Sequence, residues 1–450
     1  MYVIHRVAAL AVFSIALAGC GGGGGGGAAP VTNAQPSPPP PATTPPPEPP
    51  PVTPTPAEFT LNGPTVYSMP VWPDAWPDVV AVADIDGDGL KDAIVATTMT
   101  NQDSHPQTDW KLYIFHQLTN GTLSSPVVVP YSSLAEETFR SGGTRRRTTI
   151  ASTDLNGDGI ADLVVGQRTG LSIVYGRRDR SYIATHVSNA AGVISGDAFT
   201  FLDADGDGQV DIASHNETSE QGKWGLTVFF GDPAGTYARQ RFLPTSNDGD
   251  VELAKGDLNS DGHTDLAVSS GQGLSQRVEI LLGDGAGDFS NKLVISKPPG
   301  LMRLSTIAVA DFSGEDGADD LVMAGNDQEF SGGAYFLFKQ VNGVLISSPI
   351  QLPSTSPKDT ANTPDTMIAA DLNGDRKADL ITLRSGGQLG YLEQRNGELI
   401  KEQIFDGPYA TWGGQIPIAV GDLTGDGCAD VATANYNYGL VIWQGYGCSR

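Results

Sequence analysis

An all-β fold, a seven-bladed β-propeller of four-stranded antiparallel blades, follows from three features of the sequence. The first is an acid loop that occurs seven times. It reads Asp84-Ile85-Asp86-Gly87-Asp88-Gly89-Leu90-Lys91-Asp92 and begins again at Asp154, Asp203, Asp257, Asp311, Asp371 and Asp422. The start-to-start spacings are 70, 49, 54, 54, 60 and 51 residues, and one motif at such a period marks a repeat architecture. The second feature is the pair of short apolar runs around each loop. VVAVA precedes Asp84 and TIAVA precedes Asp311, while IVAT follows Asp92 and LITL follows Asp379. Runs of this length, rich in Val and Ile and bounded by Gly and Asp, read as strands. The third is a set of alternating runs further on: LSIVYG (171–176), LTVFFG (226–231), VEILLG (278–283) and AYFLFK (334–339).

Each unit therefore reads as inner strand, acid loop, second strand, third strand, turn and outer strand, the plan of a propeller blade. Asn120-Gly121, Asn342-Gly343 and Asn396-Gly397 suit two-residue hairpin turns, because both residue types tolerate left-handed backbone. On the inner strands, the residues one and three before the first Asp are mostly small: Ala83 and Ala81, Gly256 and Ala254, Ala310 and Ala308, Gly421 and Ala419. The expectation is that this parity faces a crowded central axis, while Val82, Phe201, Val309 and Val420 pack between blades. Leu202, Thr200 and Ile368 depart from the pattern.

The last unit has room after Asp430 for a second strand (431–435) and a third strand (439–444), and then the chain stops. An apolar stretch from Glu58 to Met69 precedes the first unit and has no blade of its own. It is expected to supply the outer strand of the seventh blade and close the ring, which removes the open sheet edges that invite aggregation. Residues 57–450 then form one domain.

The N-terminal segment has a different character. His5-Arg6 precede an apolar stretch from Val7 to Ala18 that is too short to span a bilayer and suits a signal peptide. It ends Leu17-Ala18-Gly19-Cys20, which resembles the lipobox of bacterial lipoproteins. That resemblance implies cleavage before Cys20, a signal peptide at 1–19 and a diacylated Cys20. An ordinary signal peptide is the alternative. Residues 20–56 continue with seven glycines, Gly21 to Gly27, and a Pro-rich tract from Pro30 to Pro56. Such a tract is a semi-stiff spacer of roughly 80 Å. No Asp follows Cys20, so the same resemblance implies the outer membrane, with the domain facing the periplasm or the cell surface. A formal charge of −25 argues against nucleic acid as a partner. The expected state is a monomer that meets the membrane only through its lipid. Cys428 and Cys448 fall opposite each other if the last hairpin turns at 437–439. An exported chain permits a disulfide there, with two free thiols as the alternative.

The acid loops carry the chemistry. Calcium takes six to eight oxygens from carboxylates, amides, carbonyls and water. Loop 1 offers Asp84, Asp86, Asp88, the carbonyl of Leu90, and Asp92. Loop 2 offers Asp154, Asn156, Asp158, Ile160 and Asp162; loop 3, Asp203, Asp205, Asp207, Gln209 and Asp211; loop 4, Asp257, Asn259, Asp261, His263 and Asp265. Ile160, Gln209 and His263 contribute only their carbonyls. Loop 6 has Asp371, Asn373, Asp375 and Asp379, with Arg376 where the others have Gly. Loop 7 has Asp422, Thr424, Asp426 and Asp430. Loop 5 is the irregular one: Ser313 replaces a ligand and the span from Asp311 to Asp320 is one residue longer. An EF-hand would need a Glu at the twelfth position, which is Val95 in loop 1 and Val165 in loop 2. Calcium in at least three loops is the expectation; acid turns that bind nothing are the alternative.

Together with turns such as Phe230-Gly231-Asp232-Pro233-Ala234-Gly235 and Leu282-Gly283-Asp284-Gly285-Ala286-Gly287, these loops resemble FG-GAP/VCBS repeats, the repeats of the integrin α-subunit propeller and of many bacterial surface proteins. The resemblance covers residues 60–450. It implies the fold and the cation, and it names no activity, since function is carried by sites and not by folds.

The chain order places the acid loops and the turns between third and outer strands on one end of the ring. The other end then collects Trp72, Trp76, Trp110, Arg140, Trp224, Phe330, Tyr409, Trp412, Tyr436 and Tyr438. Arg145, Arg146 and Arg147 also fall there, either as a site for an anionic ligand or as a solvated loop held by carboxylates. The glycines at 283–287 lie in a turn with no helix after them, so they are not a phosphate loop. No constellation of a nucleophile or an acid–base pair is evident. The reading is a non-catalytic module for protein or glycan recognition and adhesion. An enzyme acting on polysaccharide, or a purely structural module of the envelope, is the alternative.

Overall fold

A computed structural model describes residues 58–71, 75–98, 110–131, 149–167, 170–188, 193–218, 224–233, 235–245, 252–270, 275–314, 317–327, 332–354, 363–384, 386–400, 402–408 and 418–449. The first compact unit, residues 1–55, lies outside these, and so do Cys20 and the linker; residues 56–450 form the second. That second unit is a ring of seven four-stranded antiparallel sheets.

Blade 1 runs Trp76–Ala83, Asp92–Thr98, Lys111–Phe115 and Val127–Pro130. Blades 2 to 6 repeat this order, with inner strands Ile150–Thr153, Val193–Leu202, Leu253–Gly256, Leu301–Ala310 and Pro364–Ala370. In blade 7 the strands Ile418–Gly421, Asp430–Asn435 and Gly439–Tyr446 are completed by Thr60–Tyr67 from the start of the domain. Thr60 pairs with Tyr446 and Tyr67 with Leu440. The ring closes through the two chain ends, as the leftover apolar stretch predicts.

Closure is visible in the packing. The buried apolar residues fall into seven clusters, one for each junction between neighbouring blades. The seventh junction joins Leu423, Leu440 and Ile442 of blade 7 to Val80, Val95 and Phe115 of blade 1. Phe59 and Leu61 pack on Tyr391 and Trp443, at the junction of blades 6 and 7. Second strands such as Asp265–Ser270 and Asp379–Arg384 are buried along their whole length, as expected for strands sandwiched on both faces.

Two expectations about local geometry change. At Gly256 and Gly421, the small residue before the first Asp is required by the neighbouring blade. A Cβ on Gly256 would overlap Val309 of blade 5, and one on Gly421 would meet Val82 of blade 1. The branched side chain of one inner strand thus sits where the previous strand has none. At Asn120-Gly121 only the glycine is left-handed (φ 76°), and the Gly121 N–H donates to the Leu118 carbonyl at 2.9 Å. That is a longer turn than the two-residue hairpins at Asn342-Gly343 and Asn396-Gly397, where both residues have positive φ.

Candidate metal loops and the opposite end

The acid loops are built alike. Glycines at the fourth and sixth positions adopt left-handed backbone, for example Gly157 and Gly159 at φ 73° and 82°. This curls the chain so that its N–H groups point inward at the acids. In loop 2 the Asp154 carboxylate accepts from Gly157 and Gly159 at 2.8 Å each. Asn156 Oδ1 accepts from the Asp158 N–H, and Asp158 Oδ1 accepts from the Ile160 N–H, both at 2.9 Å. Loops 1, 4 and 6 show the same ladder of bonds, at Asp88, Asp261 and Asp375 among others. Where loop 4 has Ser260 and loop 6 has Arg376, the backbone is still left-handed, at φ 57° and 66°.

The last Asp, at the ninth position in six loops and the tenth in loop 5, does a separate job in all seven blades. Asp92, Asp162, Asp211, Asp265, Asp320, Asp379 and Asp430 are fully buried. One oxygen accepts from an N–H near the start of the loop: Ile85, Leu155, Ala204, Leu258, Ser313, Leu372 and Leu423 respectively. The other accepts from the backbone just after the third strand: Gln117, Gly176, Gly231, Gly283, Gln340, Gln394 and Gly445. Each carboxylate is a clamp between loop and third strand. The glycines among these partners are obligatory, since a Cβ on Gly176, Gly231, Gly283 or Gly445 would overlap the carbonyl before the ninth Asp. In loop 5 the clamp is kept by Ser313 while Phe312 is fully buried, so the additional residue is absorbed before the clamp.

Burial pushes Asp162, Asp211, Asp265, Asp379 and Asp430 up to about 6. The two N–H donors at each work against this, and the neighbouring loop acids add to it. Oxygens of Asp84, Asp86 and Asp88 lie within 4.8 Å of one another, and so do those of Asp203, Asp205 and Asp211. Each oxygen that accepts one N–H keeps a second lone pair. The donors in loops 2, 3, 6 and 7 are therefore all hard oxygens, which fit a calcium-class ion.

Loops 1 and 3 also receive arginines. Arg180 Nε lies 2.6 Å from Asp86 Oδ2, and Arg178 donates to the Gly87 carbonyl at 2.6 Å. Arg239 pairs with Asp205 and lies over the Phe230 ring at 3.8 Å. In blade 1 a buried histidine, His116, stands beside Asp86 and Asp92. None of these was anticipated. The signal for His116 is its place, immediately before the clamping Gln117, where blades 2, 3 and 4 have Tyr175, Phe230 and Leu282 before the clamping Gly.

The loop of each blade meets the turn of the next. Gly287 of blade 4 donates to the Ala204 carbonyl at 2.8 Å, and Gln340 of blade 5 donates to the Asp257 carbonyl at 2.8 Å. The His263 ring packs over Gly285, inside the glycine-rich turn at 283–287.

The opposite end carries Trp76, at the start of its inner strand, and Trp224, at the start of its third strand. Trp76 stacks on Tyr436 with ring centres 5.0 Å apart and planes 15° apart, across blades 1 and 7. Tyr438, two residues on, is 44% exposed. Trp224 stacks on His215 at 5.6 Å, and Trp110 meets Tyr131 edge-on at 6.0 Å. Trp72, Arg140, Arg145, Arg146, Arg147, Phe330, Tyr409 and Trp412 lie outside the described residues. On the loop end, Cys428 and Cys448 are joined by a disulfide with Cα atoms 5.6 Å apart.

The FG-GAP-like repeat family matches residues 154–214 and 371–433. These spans cover the loops and second strands of blades 2 and 6, and parts of blades 3 and 7. The chain is a seven-bladed propeller that carries FG-GAP-like repeats at these two spans. No curated protein matches it in sequence. Among solved structures it is similar to the BP39L lectin of Burkholderia pseudomallei, at 14% identity and a TM-score of 0.53, over 82% of this chain and 96% of that one. It is also similar, at 18% identity and a TM-score of 0.49, to a protein of Agrocybe aegerita described as recognising non-reducing terminal N-acetylglucosamine, over 80% of this chain and 86% of that one. At these identities the likeness is one of fold.

Proposed function

We propose that this chain is a calcium-stabilised recognition module, tethered by a lipid on Cys20 to the bacterial outer membrane, that binds a protein or glycan ligand. The observation that carries the reading is the division of labour between the two ends of the ring. One end is knitted by acid loops and neighbouring turns, an arrangement that holds blades together. The other end carries Trp76, part-exposed and backed by the buried Tyr436, and the exposed Tyr438, amphipathic rings of the kind enriched at binding surfaces. The similar propeller called a lectin shows one use of the architecture and fixes no ligand here. The lipid rests on the sequence at Leu17 to Cys20 and the long Pro-rich spacer after it.

A glycan array and a protein pull-down, each run with calcium and with chelator, test the recognition. Binding that falls when Trp76 or Tyr438 becomes Ala supports it. Full binding by both variants, or turnover of a polysaccharide, sinks it. Cys20→Ser should release the chain from membranes and remove the lipid mass. A wild-type chain that is soluble with an unmodified N-terminus would overturn the anchor.

A further inference from the structure

Loop 1 has a neighbour that no other acid loop has. In blades 5 and 6 the residue between the third strand and the clamping Gln is Lys339 or Glu393; in blade 1 it is His116. His116 is 1% exposed. Its Nδ1 lies 3.2 Å from Asp86 Oδ2 and 3.2 Å from Asp92 Oδ2. Neither ring nitrogen makes a hydrogen bond of acceptable direction. Its neighbour Tyr182, stacked on the imidazole at 6.0 Å, has a buried hydroxyl that is likewise without a partner among the described residues.

We infer that His116, Asp86 and Asp92 form a site for a zinc-class divalent cation, distinct in preference from the calcium-type loops. The inference rests on the reading that these loops hold cations, but not on calcium at any other loop. Three arguments carry it. First, ligands about 2.0–2.2 Å from one ion stand roughly 3.0–3.5 Å from each other; Nδ1 is 3.2 Å from each carboxylate oxygen, and the three atoms lie within 4.8 Å of one another. Second, a buried imidazole that accepts no proton donor and donates none is costly, and a metal on Nδ1 removes half of that cost. Third, imidazole suits zinc and its neighbours, whereas calcium takes oxygen.

The surroundings orient the three groups. The His116 N–H donates to Ser124 Oγ at 3.1 Å, and the His116 carbonyl accepts from the Ser124 N–H at 2.8 Å, so the turn fixes the histidine backbone. Asp92 is held by the Ile85 and Gln117 N–H groups at 3.3 and 2.9 Å. Asp86 Oδ1 accepts from the Asp88 N–H at 3.2 Å, and Oδ2 accepts from Arg180 on its outer side at 2.6 Å. Such outer contacts fix ligand geometry in metal sites. A fourth coordination position is left to water.

The test uses the whole chain without an affinity tag, stripped with chelator and returned to excess calcium. Cobalt(II) is then titrated and its visible d–d absorption recorded. One equivalent of cobalt, not displaced by calcium and displaced by one equivalent of zinc, is the expected result. His116→Gln should weaken cobalt by at least about 100-fold, beyond the loss from a merely supporting contact, while His186→Gln, in the outer strand of blade 2, should keep the band. No cobalt band in the wild type, displacement of cobalt by calcium, or equal binding by His116→Gln would each overturn the site. If His116→Gln does not fold, the wild-type titration alone decides. Calcium-dependent melting, read separately, reports the other loops, so either reading can fail while the other stands.

Discussion

The backbone N–H of Ser449 donates to the carbonyl of Asn373 at 2.6 Å. Through this contact the C-terminal segment of blade 7 takes the place that a turn occupies on the loop of every earlier blade. A Cβ on Gly374 would overlap the Ser449 carbonyl, so the approach needs a glycine in loop 6. The disulfide from Cys428 to Cys448 holds the segment next to Ser449.

Breaking that bridge should therefore loosen loop 6 as well as blade 7. The bridged cysteines are 20 residues apart, which corresponds to about 3 kcal/mol in the chain-entropy account. Replacing both with serine should lower the urea midpoint accordingly and raise amide exchange at Gly374. Unchanged exchange there would show that the segment stays docked without the bridge.

The N-terminal strand should matter as much as any strand of the ring. Phe59 is 6% exposed and meets the Tyr391 ring edge-on at 5.4 Å. Phe59→Ala should cost about 3–5 kcal/mol by urea denaturation. Deleting residues 57–69 should cost more or produce oligomers through the open edge, whereas deleting 21–50 should do neither.

Calcium should raise the melting temperature, because an ion bound only by the folded chain stabilises it by mass action. At calcium 100-fold above its dissociation constant, one site contributes about 2.7 kcal/mol. Asp205→Ala should remove about that much of the calcium-dependent stabilisation. Ser313→Ala in loop 5 should leave the calcium-dependent part unchanged, whatever its effect in chelator. Equal losses from the two substitutions would count against complete and incomplete loops as distinct classes.

Arg376 holds left-handed backbone, φ 66°, where the other complete loops have glycine. This conformation costs a non-glycine residue roughly 1–2 kcal/mol. Arg376→Gly should raise stability by about 1 kcal/mol, since glycine also gains freedom in the unfolded chain. A destabilised variant would mean that the arginine side chain contributes more than its backbone costs.

In chelator, stability should fall as the pH rises from about 4 to about 6. Five clamping carboxylates, Asp162, Asp211, Asp265, Asp379 and Asp430, are pushed up to about 6. The ordinary Asp value in an unfolded chain is about 3.9. The folded state then binds more protons through that window, and stability declines with pH there. Calcium should flatten or reverse the slope, because a cation favours the ionised form. Melting curves across this range, with and without calcium, check the sign.

Much of this was legible in the chain. The spacing of the acids marked seven blades, the missing outer strand of blade 7 pointed to residues 58–69, and chain order placed Trp76, Trp224, Tyr436 and Tyr438 opposite the loops. The small residues beside the inner strands were noticed, but their reason was not. Gly256 and Gly421 answer Val309 and Val82 of the next blade, and a contact between blades has no signature within one repeat. The ninth Asp was visible only as a ligand candidate; its role as a clamp needs the third strand, which is some 14–25 residues away.

The sequence by itself determined the repeat, the blade plan, the closure of the ring and the set of oxygen donors. All of these are local patterns or matters of chain order. Only the tertiary structure decided what stands beside each loop. Arg180 reaches Asp86 from blade 2, Arg239 reaches Asp205, and His116 comes to Asp86 and Asp92 from beyond the third strand. Repetition fixes the backbone of every loop alike. The side chains that set its charge arrive from other strands and other blades, so no single repeat records them.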